Sequence, residues 1–116
     1  MTIDELIIEA YNAKDRFWFI DVLKIERTDS TITLRFSIGP KLFIQVFFSE
    51  RSGRFSLALI DTSMRLYGRD REHGLWHRPP FEDPSIHEPT PEGLSPQLII
   101  QFVTEVEEIL LDKNVL

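Results

Sequence analysis

The chain has 116 residues, a formal net charge of −6 and no cysteine. A chain of this length usually forms one domain, and we predict a single domain over residues 1–116. The lack of cysteine excludes disulfides and zinc–thiolate sites. The acidic balance does not suit a protein that binds nucleic acid over its whole surface, because such binding needs a basic footprint.

The sequence shows no targeting or membrane signal. Its apolar runs are short, whereas a helix needs roughly 20 apolar residues to span a bilayer. The N-terminus has no basic segment ahead of an apolar run, so it does not look like a secretory signal. We therefore expect a soluble, cytoplasmic protein that does not contact membranes.

The first predicted element is a short helix. Thr2 and Glu5 have the spacing of a capping box, in which each side chain binds an amide that the helix leaves unpaired. Apolar residues then recur at helical spacing and form one stripe, at Ile3, Leu6, Ile7, Ala10 and Tyr11. We expect the helix to end within residues 12–15.

Five strands are predicted next, at residues 17–27, 31–38, 42–48, 55–60 and 64–69. They are rich in β-branched and aromatic residues and are separated by turn residues such as Asp, Ser, Gly and Pro. The short connections favour an antiparallel meander, since a parallel crossover needs a dozen or more residues.

The end of the chain combines a proline-rich loop with a helix. Residues 73–96 hold six of the seven prolines, and we expect an ordered but irregular segment there. Ser95 and Pro96 suit the start of a helix. Its apolar stripe comprises Leu98, Ile99, Phe102, Val103, Val106, Ile109 and Leu110. Each helix has one stripe to bury, so we predict an α+β fold with both helices on one face of the sheet.

The stretch from Tyr67 to Glu88 holds the candidate site, because it contains all three histidines of the chain together with several arginines. Cleavage of a phosphodiester needs a proton donor, a proton acceptor and a cation. Histidine can donate and accept protons near neutral pH, and arginine can stabilise the negative charge of the phosphorane that forms. The predicted catalytic residues are Arg69, Asp70, His73, His77, Arg78 and His87. The alternative is that Arg69 and Arg71 form ion pairs with nearby acids or with the acidic C-terminal helix, while the histidines cap turns.

The histidines and nearby acids could also form a metal site. His73 and His77 have i,i+4 spacing, and His87 with an acid at position 82 or 83 could add ligands. However, Gly74 and the prolines at 79–80 disfavour a helix there, and no spacing of known specificity is present. We therefore predict no metal and no cofactor.

The same stretch resembles the TumE-like toxin family. The resemblance rests on Tyr67-x-Arg69-Asp70, His73, Trp76-His77-Arg78-Pro79, Phe81, Asp83-Pro84 and His87, followed by an acidic helix. It covers roughly residues 64–110. Here His77 and His87 stand apart, whereas the family tends to bunch its last histidines. The resemblance implies a cytoplasmic toxin-like protein with an antitoxin partner.

We therefore predict a toxin-like protein of a toxin–antitoxin pair that acts on RNA as a metal-independent nuclease. The alternative is a non-enzymatic interaction module that uses the sheet and the loop at residues 70–90. In either case Phe43 and Phe47 lie on the opposite side of their strand from its main apolar face. The apolar area that they add needs cover, which predicts a homodimer or heteromer.

Overall fold

A computed structural model describes residues 2–72, 75–78, 88–89 and 98–116, with the main chain alone for 72, 75–78 and 88–89. His73, His87, Ser95 and Pro96 lie outside these ranges. In chain order the elements are α1 (Ile3–Arg16), β1 (Val22–Arg27), β2 (Thr31–Ser37), β3 (Leu42–Ser49), β4 (Phe55–Asp61), β5 (Met64–Glu72), β6 (Leu75–Arg78), β7 (Glu88–Pro89) and α2 (Leu98–Asp112).

The strands form one antiparallel meander in the order β1-β2-β3-β4-β5-β6-β7. The predicted α+β fold, with five antiparallel strands between an N-terminal and a C-terminal helix, is confirmed by β1 to β5. The two short strands β6 and β7 extend the sheet where we expected only irregular chain. No helix in the described part of the chain is long and apolar enough to cross a bilayer.

Helix α1 begins as predicted but ends later. The Thr2 hydroxyl accepts a hydrogen bond from the Glu5 amide at 3.1 Å, which caps the first turn. The helix then continues to Arg16 because Ala10 and Ala13 are both buried against the core. Basic residues in the last turn also suit the negative end of the helix dipole.

The first strand consequently begins later than predicted, at Val22 instead of residue 17. Phe17, Phe19 and Ile20 are buried, and they belong to the connection between α1 and β1. Aromatic and β-branched residues are typical of a strand, but here these side chains pack into the hydrophobic core from a connecting segment.

Both helices lie on one face of the sheet, as predicted. The inward residues of the three central strands are almost fully buried and align across the sheet as Ile32, Leu34 and Phe36, then Ile44, Val46 and Phe48, then Phe55, Leu57 and Leu59. On this face Asp4 of α1 pairs with Arg27, and Glu105 of α2 binds Tyr67 of β5. We call the opposite side of the sheet the open face, because neither helix covers it.

The helices also contact one another through a carboxylate. Glu9 of α1 accepts hydrogen bonds from the amides of Ile99 (2.8 Å) and Ile100 (3.1 Å) in the first turn of α2. These amides have no partner inside their own helix, so Glu9 caps α2 from another element. Burial raises the pKa of Glu9 above its usual value, and the two amide hydrogen bonds oppose that rise.

The charged run at residues 69–72 belongs to β5. We expected the strand to end at Arg69, but it continues to Glu72. The extension is stabilised by partners on both sides, since Arg71 lies opposite Phe55 of β4 and opposite Trp76 of β6. Strand pairing therefore outweighs the loop character that four successive charges indicate.

Candidate functional site

The predicted site residues Arg69 and Asp70 lie on opposite faces of the sheet. Arg69 and Asp70 are adjacent in β5, and neighbouring residues of a strand point to opposite faces. Arg69 lies on the face that the helices cover, where only 7% of it is exposed, while Asp70 lies on the open face and is 9% exposed. The two side chains therefore take part in separate clusters.

Asp70 is the centre of the cluster on the open face. Its carboxylate accepts two hydrogen bonds from the Arg65 guanidinium, one on each oxygen and each 2.9 Å long. The Ser56 hydroxyl donates a third at 2.8 Å. Arg65 also donates to the carbonyl oxygen of Leu57 at 3.3 Å. The carboxylate is thus held in one orientation by a bidentate ion pair and a neutral donor.

A glycine and a β-bulge allow Arg65 to reach Asp70. The pairing of β4 with β5 changes register between Leu59 and Ile60, and this shift brings Arg65 to the open face beside Gly68. A Cβ atom at position 68 would overlap the Arg65 guanidinium. Any larger residue at position 68 would displace the guanidinium, which lies directly on the main chain.

A second cluster joins β5 to α2 on the covered face. Arg69 forms a bidentate pair with Glu105, with Nε to Oε1 at 2.9 Å and Nη2 to Oε2 at 2.6 Å. The Tyr67 hydroxyl donates to Glu105 Oε1 at 2.8 Å, and its ring stacks on Phe102. Arg69 thus pairs with an acid of the C-terminal helix, as the structural alternative expected. Glu105 lies outside the predicted apolar stripe of α2, yet these contacts turn it towards β5 and leave its side chain 22% exposed.

The other predicted site residues lie on β6 or outside the described ranges. His77 occupies the register position directly opposite Asp70, and on its other side it pairs with Pro89. Arg78 is the last residue of β6 and pairs with Glu88. His73 and His87 fall outside the described residues. The register therefore brings together two of the six predicted residues, Asp70 and His77.

Sequence reasoning missed Arg65 and Ser56 as members of this cluster. Gly68 and Asp70 could have been placed together, since residues two apart on a strand share a face. Arg65 could not, because it lies three positions before Gly68, which in a regular strand is the opposite face, and only the bulge moves it to the same side. Ser56 becomes a neighbour of Asp70 only once the pairing of β4 with β5 is known.

This arrangement suits the orientation of a proton-transferring group. A carboxylate that is itself fixed by donors can hold a neighbouring imidazole in one tautomer. Among the described residues there is no group of three or more His, Asp or Glu side chains that could hold a metal ion. The described part of the site is thus an Asp–Arg–Ser cluster with a histidine at the adjoining register position.

Comparisons with protein-family models, with curated proteins and with solved structures found no match for this chain.

Proposed function

We propose that this chain is a small cytoplasmic toxin of a toxin–antitoxin pair, and that it cleaves RNA without a metal ion. The observation that carries the proposal is the register of β5 and β6, which sets His77 opposite an Asp70 carboxylate already fixed by Arg65 and Ser56. The resemblance of residues 64–110 to the TumE-like toxins supports the biological setting.

In the proposed reaction, two histidines exchange protons with RNA. One takes the proton of a ribose 2′-hydroxyl, whose oxygen attacks the adjacent phosphorus, and the other donates a proton to the leaving 5′-oxygen. Asp70 orients His77, while His73 or His87 supplies the second imidazole. Arg78 stabilises the charge that develops on the phosphoryl oxygens. Arg69 has a different part, because its pair with Glu105 fixes β5 against α2.

The expression test uses inducible synthesis of the chain in a bacterial host. Wild-type protein should arrest growth. His77→Ala should relieve the arrest while retaining the wild-type circular dichroism, and so should one of His73→Ala and His87→Ala, which identifies the second imidazole. Arg78→Ala should also relieve it. Lys41→Ala is the matched control, since it removes an exposed base from a distant turn, and it should remain toxic.

The chemical test uses purified protein and labelled RNA in the presence of EDTA. Cleavage should persist and should leave 2′,3′-cyclic phosphate ends, because the attacking group is the neighbouring hydroxyl. Loss of cleavage in EDTA would refute the metal-independent mechanism. A wild-type protein that is harmless on expression, or histidine variants that all behave like it, would refute the toxin proposal itself.

A second candidate function is a non-enzymatic interaction module, and the apolar residues of the open face favour it. Phe43 and Phe47 of β3 are half-buried there, and the Arg35 guanidinium lies 4.1 Å from the centroid of the Phe43 ring. Phe47→Ser should weaken binding to a partner if this face is the interface. The same substitution should leave RNA cleavage intact if the catalytic proposal is correct.

A further inference from the structure

The outer edge of β1 is a candidate binding surface that is independent of the proposed catalytic site. β1 is the terminal strand of the sheet, and in the described part of the chain no strand pairs with its outer side. Such an edge presents a row of amide and carbonyl groups that can pair with another strand.

The hydrogen bonds to β2 define which groups of β1 face outward. The Thr28 amide donates to the Thr31 carbonyl at 2.9 Å, so this pair is a hydrogen-bonded one. Hydrogen-bonded and non-bonded pairs alternate along an antiparallel ladder. Residues 24 and 26 therefore direct their main-chain groups towards β2, while those of Leu23, Ile25 and Arg27 face the free edge.

We propose that a second copy of this chain pairs with β1 about a two-fold axis at Ile25, which makes one continuous sheet across the dimer. In this register Ile25 pairs with Ile25 of the other copy, and Leu23 pairs with Arg27 in both directions. All the outward groups of these three residues are then used, which gives six main-chain hydrogen bonds.

Charge selects this register. With the axis at Ile25, each Lys24 lies opposite Glu26 of the other copy, in a non-hydrogen-bonded pair where side chains approach closely. Within one copy these two side chains already pair at 3.7 Å, and both remain 69% exposed, so each can also contact the opposite charge of the other copy. An axis at Arg27 would set two arginines against each other. An axis at Leu23 would set Lys24 against Val22. Only the Ile25 register is self-complementary.

Helix α1 supplies apolar surface at the same edge. Asp4 near the start of α1 binds Arg27 at the end of β1, so α1 runs antiparallel to β1. Ile8 and Tyr11 follow Asp4 on the same side of the helix, and they are 63% and 55% exposed. A two-fold axis perpendicular to the sheet keeps the helices of both copies on the same face. The exposed Ile8 and Tyr11 then add apolar surface on the helical side of the proposed dimer.

Charge exchange tests the register. Sedimentation equilibrium should give a dimer at tens of micromolar. Lys24→Glu and Glu26→Lys should each weaken it by about tenfold, because each turns two attractive pairs into repulsive ones. The double variant Lys24→Glu/Glu26→Lys should restore the wild-type dissociation constant. A monomer at every concentration, or a double variant weaker than both single variants, would overturn the proposal.

Cross-linking provides a readout that does not depend on affinity. The chain has no cysteine, so Ile25→Cys introduces one thiol at the proposed axis. Opposite residues of a hydrogen-bonded pair have Cα atoms about 5.5 Å apart, which a disulfide can span. Mild oxidation should give a covalent dimer. Val22→Cys is the matched control, because the two copies of residue 22 would lie about 20 Å apart and should not cross-link. A dimer in which Ile25→Cys fails to cross-link, or in which Val22→Cys cross-links equally well, would refute this interface.

Discussion

Arg69 and Asp70 are adjacent in the chain, yet each is bound by a different partner on a different face of the sheet. Arg69 pairs with Glu105 of α2, and Asp70 pairs with Arg65 of its own strand. One stretch of β5 therefore attaches the C-terminal helix on one side and orders a polar cluster on the other. Substitutions at the two positions should consequently have separable effects.

Gly68→Ala should destabilise the fold by about 1–3 kcal/mol, because the new methyl group would overlap the Arg65 guanidinium and force it away from Asp70. Gly39→Ala is the control, since a Cβ there meets no atom within 4 Å. Urea unfolding of both variants measures the difference. Equal stability of the two would contradict the close packing of Arg65 on the main chain.

Asp70→Ala should cost about 2–3 kcal/mol, because it leaves the half-buried Arg65 without its carboxylate. Ser56→Ala removes one hydrogen bond to the same carboxylate and should cost about 1 kcal/mol. Thermal unfolding followed by circular dichroism gives both values. Asp70→Ala should reduce the free energy of unfolding more than Ser56→Ala does. A larger reduction for Ser56→Ala would be inconsistent with Arg65 as the main partner of Asp70.

Glu105→Ala should destabilise the protein by roughly 2–4 kcal/mol, since it removes a bidentate partner of the nearly buried Arg69 and a hydrogen-bond acceptor of Tyr67. Tyr67→Phe should lose only about 1 kcal/mol, because the ring can still stack on Phe102. Glu108→Ala, at an exposed position of the same helix, should be close to neutral. Chemical denaturation of the three variants distinguishes a structural cluster from a solvated one.

Glu9 should make stability depend on pH. Its pKa in the folded protein is raised by burial, so the folded state holds the proton more tightly than the unfolded chain does. The resulting stabilisation is fully present below the unfolded pKa and is lost as the pH rises through the folded one. Glu9→Gln lacks this titration. The stability of the wild type relative to Glu9→Gln should therefore fall as the pH rises from about 4 towards neutrality. A rise would indicate that the amides of Ile99 and Ile100 dominate instead.

Thr62→Gly should raise stability by about 0.5–1 kcal/mol. Thr62 has a φ of 60° in the turn between β4 and β5, and a β-branched residue is strained in this left-handed region. Ser63→Gly, at the next position of the same turn, should bring no such gain. Calorimetric midpoints of the two variants test the assignment.

The periodic elements were predictable from the sequence because each has one buried face. The alternation of Ile32, Leu34 and Phe36 defined β2, and the apolar stripe from Leu98 to Leu110 defined α2. The charged end of β5 was missed because its stability comes from strand partners on both sides and not from its own residues. The Asp70 cluster was missed for a related reason, since it depends on a bulge that no local pattern reveals. The predicted roles of His73, His77, Arg78 and His87 stay predictions.

The cap that Glu9 provides links two helices that are far apart in the sequence, because the acceptor lies in α1 and the donors lie in α2. During translation α1 leaves the ribosome long before Ile99 is made. The meander can assemble from neighbouring hairpins in that interval, but α1 has no α2 to pack against until that helix has been synthesised. Consolidation of the helical layer therefore waits for α2, and nascent chains that stop short of α2 would be natural substrates for chaperones or proteases.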